Sequence, residues 1–176
     1  MATQETAFPP AAVRGIVSEV AALLKERKES ISVAETAAGG IISASLLSTP
    51  GASAFYNGGL TLYTLPSRIA FAGWTEDTVK DYSGPTPAIV AGLADNVRAK
   101  LGSTYTVGES GTAGPTGGTT RNRTPGYVAL AVSAPGGTFT KEVETGLGTD
   151  REANMVAFAV AALELVRDVI RGEARL

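Results

Sequence analysis

The chain has 176 residues, a net charge of −2 and a pI near 5.2, and 44% of its residues are apolar and 18% charged. This composition is typical of one globular domain and excludes a disordered chain. The slight acidity provides no basic field for a nucleic-acid backbone, and the basic cluster at residues 121–123 is too small to change that. The sequence has neither cysteine nor histidine, which excludes disulfides, thiolate metal sites and the commonest general base. Catalysis must therefore use carboxylate, hydroxyl, lysine or phenol groups, or a bound cofactor.

The first eight residues have neither the basic region nor the apolar region of a signal peptide, and no apolar run in the sequence reaches membrane-spanning length. We therefore predict a disordered tail over residues 1–8 and a single domain over residues 9–176. These observations predict a cytoplasmic protein with no membrane partner. The slight acidity of the chain predicts no nucleic-acid partner.

Hydrophobic periodicity, with glycine and proline as punctuation, predicts alternating helices and strands. In chain order these are a helix from Val13 with a polar end at 25–29, a strand at 31–34, a helix at 41–47, a strand at 54–63, helices at 66–72, 75–80 and 88–101, a strand at 105–108, a loop at 109–126, a hairpin of 127–133 and 139–145, and a helix from Thr149 or Asp150 to about Arg171. This order predicts an α/β fold with a mixed, mainly parallel sheet covered on both faces, in which the hairpin is antiparallel.

A loop follows the first predicted strand and leads directly into a helix. It runs from Glu35 to Gly40, where Gly39 and Gly40 permit a tight turn or the close approach of a ligand. Helix N-termini offer free amides that suit anions, and Thr36 places a hydroxyl group at this position. The alternative is that Thr36 caps the helix while the glycines serve only packing.

A second loop follows the strand at 105–108, at the same edge of a parallel sheet, where ligands of such folds bind. Residues 110–118 read Ser-Gly-Thr-Ala-Gly-Pro-Thr-Gly-Gly and contain four glycines. A loop of this kind can form a nest of amides for a phosphate, although it lacks the lysine and the spacing of a P-loop. The alternative is a flexible connector.

The two loops together resemble those of the CinA C-terminal domain family, whose characterised members are nicotinamide-nucleotide amidohydrolases. The family's first loop reads Ala-Glu-Ser-Cys-Thr-Gly-Gly, and Ala34, Glu35, Gly39 and Gly40 match it. The family's second loop reads Ser-Gly-(Ile/Thr)-Ala-Gly-Pro-x-Gly-Gly, and residues 110–118 match it almost throughout. The resemblance covers residues 13–170 and implies a three-layer α/β/α sandwich, no metal or other cofactor, and homo-oligomeric assembly.

Two further motifs of the family occur in the same order but with changes. The family's Gly-x-x-x-Tyr-x-x-x-x-Lys corresponds to Gly59, Tyr63 and Arg68, and its Gly-x-Arg resembles Gly148 and Arg151 at a longer spacing. By this resemblance the catalytic residues are Thr36, in the place of the family's serine, Arg68, in the place of its lysine, Tyr63 and Ser110. The ligand- or phosphate-binding residues are Glu35, Gly39, Gly40, Gly111, Thr112, Ala113, Gly114, Gly117, Gly118 and Arg151.

The two replacements affect the reacting groups. A serine–lysine pair works because a neutral lysine accepts the hydroxyl proton, whereas the guanidinium of Arg68 stays protonated at any useful pH. Thr36 is a possible nucleophile but is more crowded at Cβ. Tyr63 can serve as a base if Arg68 lowers its pKa, and Glu35 either activates water or binds Arg68 or turn amides.

The resemblance implies deamidation of nicotinamide mononucleotide to nicotinate mononucleotide and ammonia. In this hypothesis Thr36 attacks, amides near Gly39 bind the oxyanion, and the second loop with Arg151 holds the phosphate. A second hypothesis is a catalytically inactive homologue that binds a phosphorylated small molecule, because Arg68 adds a fixed positive charge.

An arginine in a first helical turn opposes the helix dipole by about 0.3–1 kcal/mol, which favours a ligand role for Arg151 over a solvated charge. Arg121 and Arg123 either close over the phosphate or lie in solvent.

Overall fold

The computed structural model describes residues 8–175. The predicted tail at residues 1–8 lies outside the described residues apart from Phe8, which is exposed. The helices are α1 (Ala11–Arg27), α2 (Ile41–Leu47), α3 (Leu65–Phe71), α4 (Glu76–Lys80), α5 (Pro87–Leu101) and α6 (Arg151–Arg171), and the strands are β1 (Ile31–Glu35), β2 (Tyr56–Thr61), β3 (Tyr105–Gly111), β4 (Tyr127–Ala134) and β5 (Gly137–Glu144). Short 3-10 turns occur at Ala52–Ala54 and Arg121–Arg123.

The strands described in residues 8–175 form one five-stranded sheet in the order β2-β1-β3-β4-β5. Strand β1 is parallel to β2 on one side and to β3 on the other, whereas β4 is antiparallel to both β3 and β5. The mixed sheet with one hairpin is therefore confirmed. Because the chain leaves β1 for β2 and then crosses to β3, the carboxyl ends of β1 and β3 form a topological switch point. The two glycine-rich loops follow these two strands.

Helices cover both faces of the sheet, as a three-layer sandwich requires. Helices α1, α2 and α6 pack on one face and on one another, and α5 packs on the other face against β1, β3 and β4. The main core lies under α1 and α6, where Val20, Leu24, Leu130, Phe158 and Leu163 are fully buried. This packing fixes the strand ends that carry the two loops.

Strand β3 is three residues longer than predicted. Strand β3 continues to Gly111, so that Glu109 and Ser110, placed by the sequence prediction in the 109–126 loop, lie in the sheet. The prediction was wrong because antiparallel pairing with β4 extends past the end of β1, with Ser110 opposite Ala129 and Gly111 opposite Val128. Pairing with a distant strand overrides the local preference of polar and glycine residues for loops.

The helix caps agree with the sequence where it was specific. Thr75, the first residue of the predicted helix at 75–80, caps α4 by accepting a hydrogen bond from the amide of Thr78. Of the two candidate caps for α6, Asp150 is the one used, since its carboxylate accepts from the amide of Ala153 at 3.1 Å. A side-chain acceptor at this position satisfies an amide that has no partner within the helix.

Candidate functional site

Glu35 ends β1 and is fully buried beneath the start of α2. Its carboxylate accepts hydrogen bonds from the amides of Ile42 and Ser43 at 3.1 and 3.0 Å and from the Ser43 hydroxyl at 2.7 Å. The first-turn amides of α2 are therefore already satisfied by an internal anion. The predicted open anion site at this helix end is wrong, and so is the alternative that Thr36 caps the helix. Among the partners foreseen for Glu35, the turn amides are the ones it has.

Gly39 and Gly40 complete the first loop with φ angles of +69° and +100°. These lie in the left-handed region that favours glycine. A Cβ at Gly39 would also lie 2.7 Å from the Cε of Met155 in α6. Both glycines therefore have a conformational role. The Gly39 amide donates to the carbonyl of Thr36 at 3.1 Å and is not available to a ligand in this conformation.

Thr36, Ser110 and Arg68 come together from three different elements. The Thr36 hydroxyl donates to the Ser110 hydroxyl at 3.2 Å, and the Arg68 Nη2 donates to the same Ser110 oxygen at a long 3.5 Å. The three side chains are 2%, 1% and 3% exposed, respectively. We call them the hydroxyl–arginine cluster. Three of the four residues predicted as catalytic are thus in contact, in a site closed to solvent.

The guanidinium of Arg68 is held from several sides. Its Nε donates to the carbonyl of Leu62 at 3.1 Å, and its carbon lies 5.0 Å from the ring centre of Trp74 and 5.2 Å from that of Tyr82. These distances are typical of cation–π contacts. Its Nη1 has no hydrogen-bond partner, and within residues 8–175 no carboxylate forms an ion pair with it.

Glu109 is the residue of this site that the sequence prediction missed. It is fully buried, and its Oε2 accepts from the amides of Thr36 and Ala38, each at 2.9 Å, while its Oε1 has no hydrogen-bond partner among the described residues. The pKa of Glu109 is raised to about 7, chiefly by burial and also by the neighbouring Glu35 charge, with the two amides and Arg68 acting in the opposite direction. A carboxyl group that ionises near neutrality is typical of functional sites.

The hydroxyl of Tyr63 contacts Arg151 and not the hydroxyl–arginine cluster. It is 59% exposed, and its hydroxyl accepts from the Nη2 of Arg151 at 3.1 Å. The guanidinium of Arg151 also lies 5.9 Å from the Tyr63 ring centre and donates through Nη1 to the carbonyl of Gly114 at 2.5 Å. The arginine that contacts the phenol is therefore Arg151, whereas the proposed basic role of Tyr63 was conditional on Arg68.

The second loop is held by hydrogen bonds at both ends. The Thr112 amide donates to the carbonyl of Tyr127, the Gly118 amide to that of Arg123, and the side chain of Asn154 to that of Ala113. The loop is not a flexible connector. The buried Asn154, which the sequence prediction also missed, ties the loop to α6.

The glycines of this loop allow close packing. A Cβ at Gly117 would lie 2.5 Å from the carbonyl oxygen of Arg123, and one at Gly111 would lie 2.7 Å from that of Tyr127. Gly114 has a φ of +90°. The amides of Gly114, Thr116 and Gly117 have no acceptor among the described residues. These amides can therefore receive an anion.

The two remaining basic residues differ. Arg121 pairs with Glu142 and Glu144 on β5 and lies over the ring of Tyr127. Arg123 packs its aliphatic part against Gly118. A groove of about 730 Å³ lies elsewhere, between β5 and α6, and is lined by apolar residues such as Val143, Val156 and Val160. None of the three residues of the hydroxyl–arginine cluster lines it.

The described part of the chain contains no group of histidine, cysteine, aspartate or glutamate residues that could hold a metal ion. Among its helices, none is both long and apolar enough to cross a membrane.

Comparisons with known proteins agree with this architecture. Residues 14–170 match the family model of the CinA C-terminal domain. A CinA-like protein from Shewanella amazonensis is 33% identical over 156 residues, which are 89% of this chain and 36% of that protein. A CinA-like protein from Shewanella piezotolerans is 31% identical over 157 residues, 89% of this chain and 37% of that protein. The chain thus spans little more than a third of the length of these curated relatives.

A solved structure extends the comparison to the fold. The crystal structure of a competence-damaged protein (CinA) superfamily member from Klebsiella pneumoniae 700603 superimposes with a TM-score of 0.83 at 22% identity, over 91% of this chain and 98% of that one. At this identity the likeness shows the fold alone. The family-model match, which covers most of the chain, shows that the chain belongs to the CinA C-terminal domain family.

Proposed function

Because this chain is a member of the CinA C-terminal domain family, we propose that it is an amidohydrolase that deamidates nicotinamide mononucleotide, with Thr36 as nucleophile. The observation that carries the proposal is the contact of Thr36, Ser110 and Arg68 at the switch point between β1 and β3. Nucleophilic catalysis by a hydroxyl requires such a neighbouring network to move its proton and fix its direction.

In the proposed reaction, Thr36 Oγ1 bonds to the carboxamide carbon and ammonia leaves, after which water releases the carboxylate. The Gly40 amide, which has no acceptor among the described residues, would bind the oxyanion in place of the engaged Gly39 amide. The free amides of the second loop, together with Arg151, would hold the phosphate.

The proton of Thr36 needs an acceptor other than Arg68, which stays protonated. We assign this role to Glu109, because its Oε2 contacts the Thr36 backbone and its Oε1 has no partner. A pKa of about 7 suits proton exchange at neutral pH. The side chains of the adjacent residues Glu109 and Ser110 point to opposite faces of β3, so Ser110, which accepts from the Thr36 hydroxyl, would orient that hydroxyl, and a turn of the hydroxyl toward Glu109 would deliver the proton. Glu109 would then pass the proton to the leaving nitrogen, so that ammonia departs.

The second candidate is a homologue that binds a phosphorylated ligand without turnover. One observation favours it: the guanidinium of Arg68 is buried with no anionic partner in residues 8–175. A fixed cation in the place of a catalytic base suits binding better than proton transfer.

The test is ammonia release from nicotinamide mononucleotide by the wild-type protein, with thermal stabilisation by the same nucleotide measured in parallel. We expect turnover in the wild type and its loss in Thr36→Ala. Thr140→Ala is the matched control, since Thr140 lies exposed on β5 and should leave the rate unchanged. Stabilisation without ammonia would replace the amidohydrolase by the binding protein. Neither signal would contradict both candidates for this nucleotide.

A further inference from the structure

Arg68 presents a buried positive charge that forms no direct ion pair within residues 8–175. Its guanidinium is 3% exposed, and its protein acceptors are the Leu62 carbonyl and the Ser110 hydroxyl, both uncharged. A buried charge is costly unless it is paired and hydrogen-bonded. The buried carboxylates nearby are engaged elsewhere, with Glu35 on the amides of α2 and Glu109 on the amides of Thr36 and Ala38. Glu109 acts on the Arg68 charge only at a distance, so an anion from outside the chain would supply the direct ion pair that this position lacks.

The orientation of the guanidinium shows which edge would meet that anion. The rings of Trp74 and Tyr82 contact the guanidinium at 5.0 and 5.2 Å, and the Nε bond to Leu62 fixes one edge. Nη2 is directed at Ser110, and Nη1, the other terminal nitrogen of the planar group, has no hydrogen-bond partner among the described residues. Two parallel N–H groups at the end of a guanidinium match the two oxygens of a carboxylate.

Hydrogen-bond chemistry distinguishes a carboxylate from a carboxamide at this edge. Arginine is a donor with no acceptor, so the NH₂ of a carboxamide would face another donor there. A carboxylate offers acceptors only and neutralises the charge. The hydroxyl groups of Thr36 and Ser110 can donate to its second oxygen. Leaving a buried donor unpaired costs about 1–3 kcal/mol, which favours the carboxylate.

We propose that the Arg68 edge of the hydroxyl–arginine cluster is a carboxylate-binding subsite, so that this chain holds an aromatic carboxylate more tightly than the matching carboxamide. The inference deepens the proposed function by assigning a ligand class to the same site, and it depends on that function only for the choice of probes. It holds with or without turnover. In an active enzyme the preferred ligand would be the product.

Access to the subsite requires movement, because all three side chains of the cluster are almost fully buried. Helix α4, which lies between Trp74 and Tyr82 in the chain, buries none of its residues. Elements with few buried contacts open at the lowest free-energy cost. The segment from Trp74 to Tyr82, whose two end rings contact the Arg68 guanidinium, is therefore the part that a ligand would displace most easily.

The experiment compares dissociation constants by calorimetry for two matched pairs, nicotinate against nicotinamide and nicotinate mononucleotide against nicotinamide mononucleotide. In the wild type we expect the carboxylate of each pair to bind about tenfold more tightly, which corresponds to about 1.4 kcal/mol. In Arg68→Gln the two members of each pair should bind within about twofold of each other. Arg98→Gln is the matched control, since Arg98 bonds to Thr104 at the opposite end of the strands, and should keep the wild-type preference.

Equal binding, tighter binding of the amides, or no binding of either carboxylate by the wild type would overturn the subsite. A preference that survives in folded Arg68→Gln would do the same. If circular dichroism shows that Arg68→Gln does not fold, Arg68→Lys replaces it, and the preference should fall because lysine lacks the two-donor edge. Ammonia release is scored separately. Its absence alongside a carboxylate preference would contradict the amidohydrolase and leave the subsite standing.

Discussion

The two glycine-rich loops follow neighbouring parallel strands of the sheet, yet the acceptors of their backbone amides differ. In the first loop and the first turn of α2, buried carboxylates occupy four amides, with Glu35 on Ile42 and Ser43 and Glu109 on Thr36 and Ala38, and the Gly40 amide stays free within the described residues. In the second loop, the amides of Gly114, Thr116 and Gly117 have no acceptor among the described residues. Glycine content alone therefore does not identify an anion site, because the accompanying acids decide whether the amides are available.

This difference indicates that the two loops have separate roles. Internal anions hold the first loop rigidly and position the hydroxyl of Thr36 against Ser110. The second loop keeps its amides open and places Arg151 beside Gly114. A nucleotide-processing site needs a preorganised reacting group and free amides that bind an anion. We call the free amides of Gly114, Thr116 and Gly117 the anion cradle. Three changes test this difference: removal of the internal anion Glu35, overpacking of the second loop at Gly117, and titration of Glu109.

The largest expected effect is on stability, from Glu35→Ala. This change removes three hydrogen bonds and leaves unpaired the buried amide of Ile42 and the half-buried amide of Ser43, so we expect a loss of about 3 kcal/mol in the free energy of unfolding. Urea unfolding measures it, with Glu26→Ala as control, because Glu26 is exposed on α1. An equal, small loss in both variants would show that the carboxylate of Glu35 does not hold the first loop.

An intermediate effect is expected from Gly117→Ala in the second loop. The new Cβ would lie 2.5 Å from the carbonyl of Arg123 and 2.7 Å from Pro125. Such overpacking should destabilise the protein by about 1–3 kcal/mol and weaken nucleotide binding by deforming the cradle. In Gly92→Ala the new Cβ meets nothing within 4 Å, and this helical control should be neutral or stabilising. If both variants bind the nucleotide as the wild type does, the second loop does not hold the phosphate.

The smallest effect at a single pH, but one with a distinctive pH dependence, is expected from Glu109→Gln. The folded state raises the pKa of Glu109 from 4.5 to about 7, so it favours the protonated form. The stability of the wild type relative to Glu109→Gln should therefore be highest below pH 4.5, fall as the pH rises toward 7, and level off above that. Urea unfolding across this range measures the difference. A constant difference between the two proteins would mean that Glu109 ionises normally.

Local pattern predicted most of the fold. The alternation of helices and strands, the hairpin and the caps of α4 and α6 depend on residues close in the chain, such as Thr75 and Asp150. The pairing that extends β3 to Gly111 could not be predicted in this way, because it depends on the distant β4. The same limit explains the wrong placement of Glu109 in a loop.

The candidate site was predicted in part. The resemblance to family motifs identified Thr36, Arg68 and Ser110, which the fold brings into contact. It missed Glu109, whose burial and amide partners arise only when the first loop folds over β3. One signal was present: Glu109 directly precedes Ser110, and a carboxylate next to a predicted reacting group is a candidate for a perturbed pKa. The partner of Tyr63 could not be predicted, since Arg151 is 88 residues away.

The most direct test of the separate roles of the two loops is a crystal structure of this chain with nicotinate mononucleotide bound. We predict the phosphate on the amides of Gly114, Thr116 and Gly117 beside Arg151, and the carboxylate on Arg68 next to Thr36. A phosphate on Arg68, or a nucleotide bound in the groove between β5 and α6, would contradict the account.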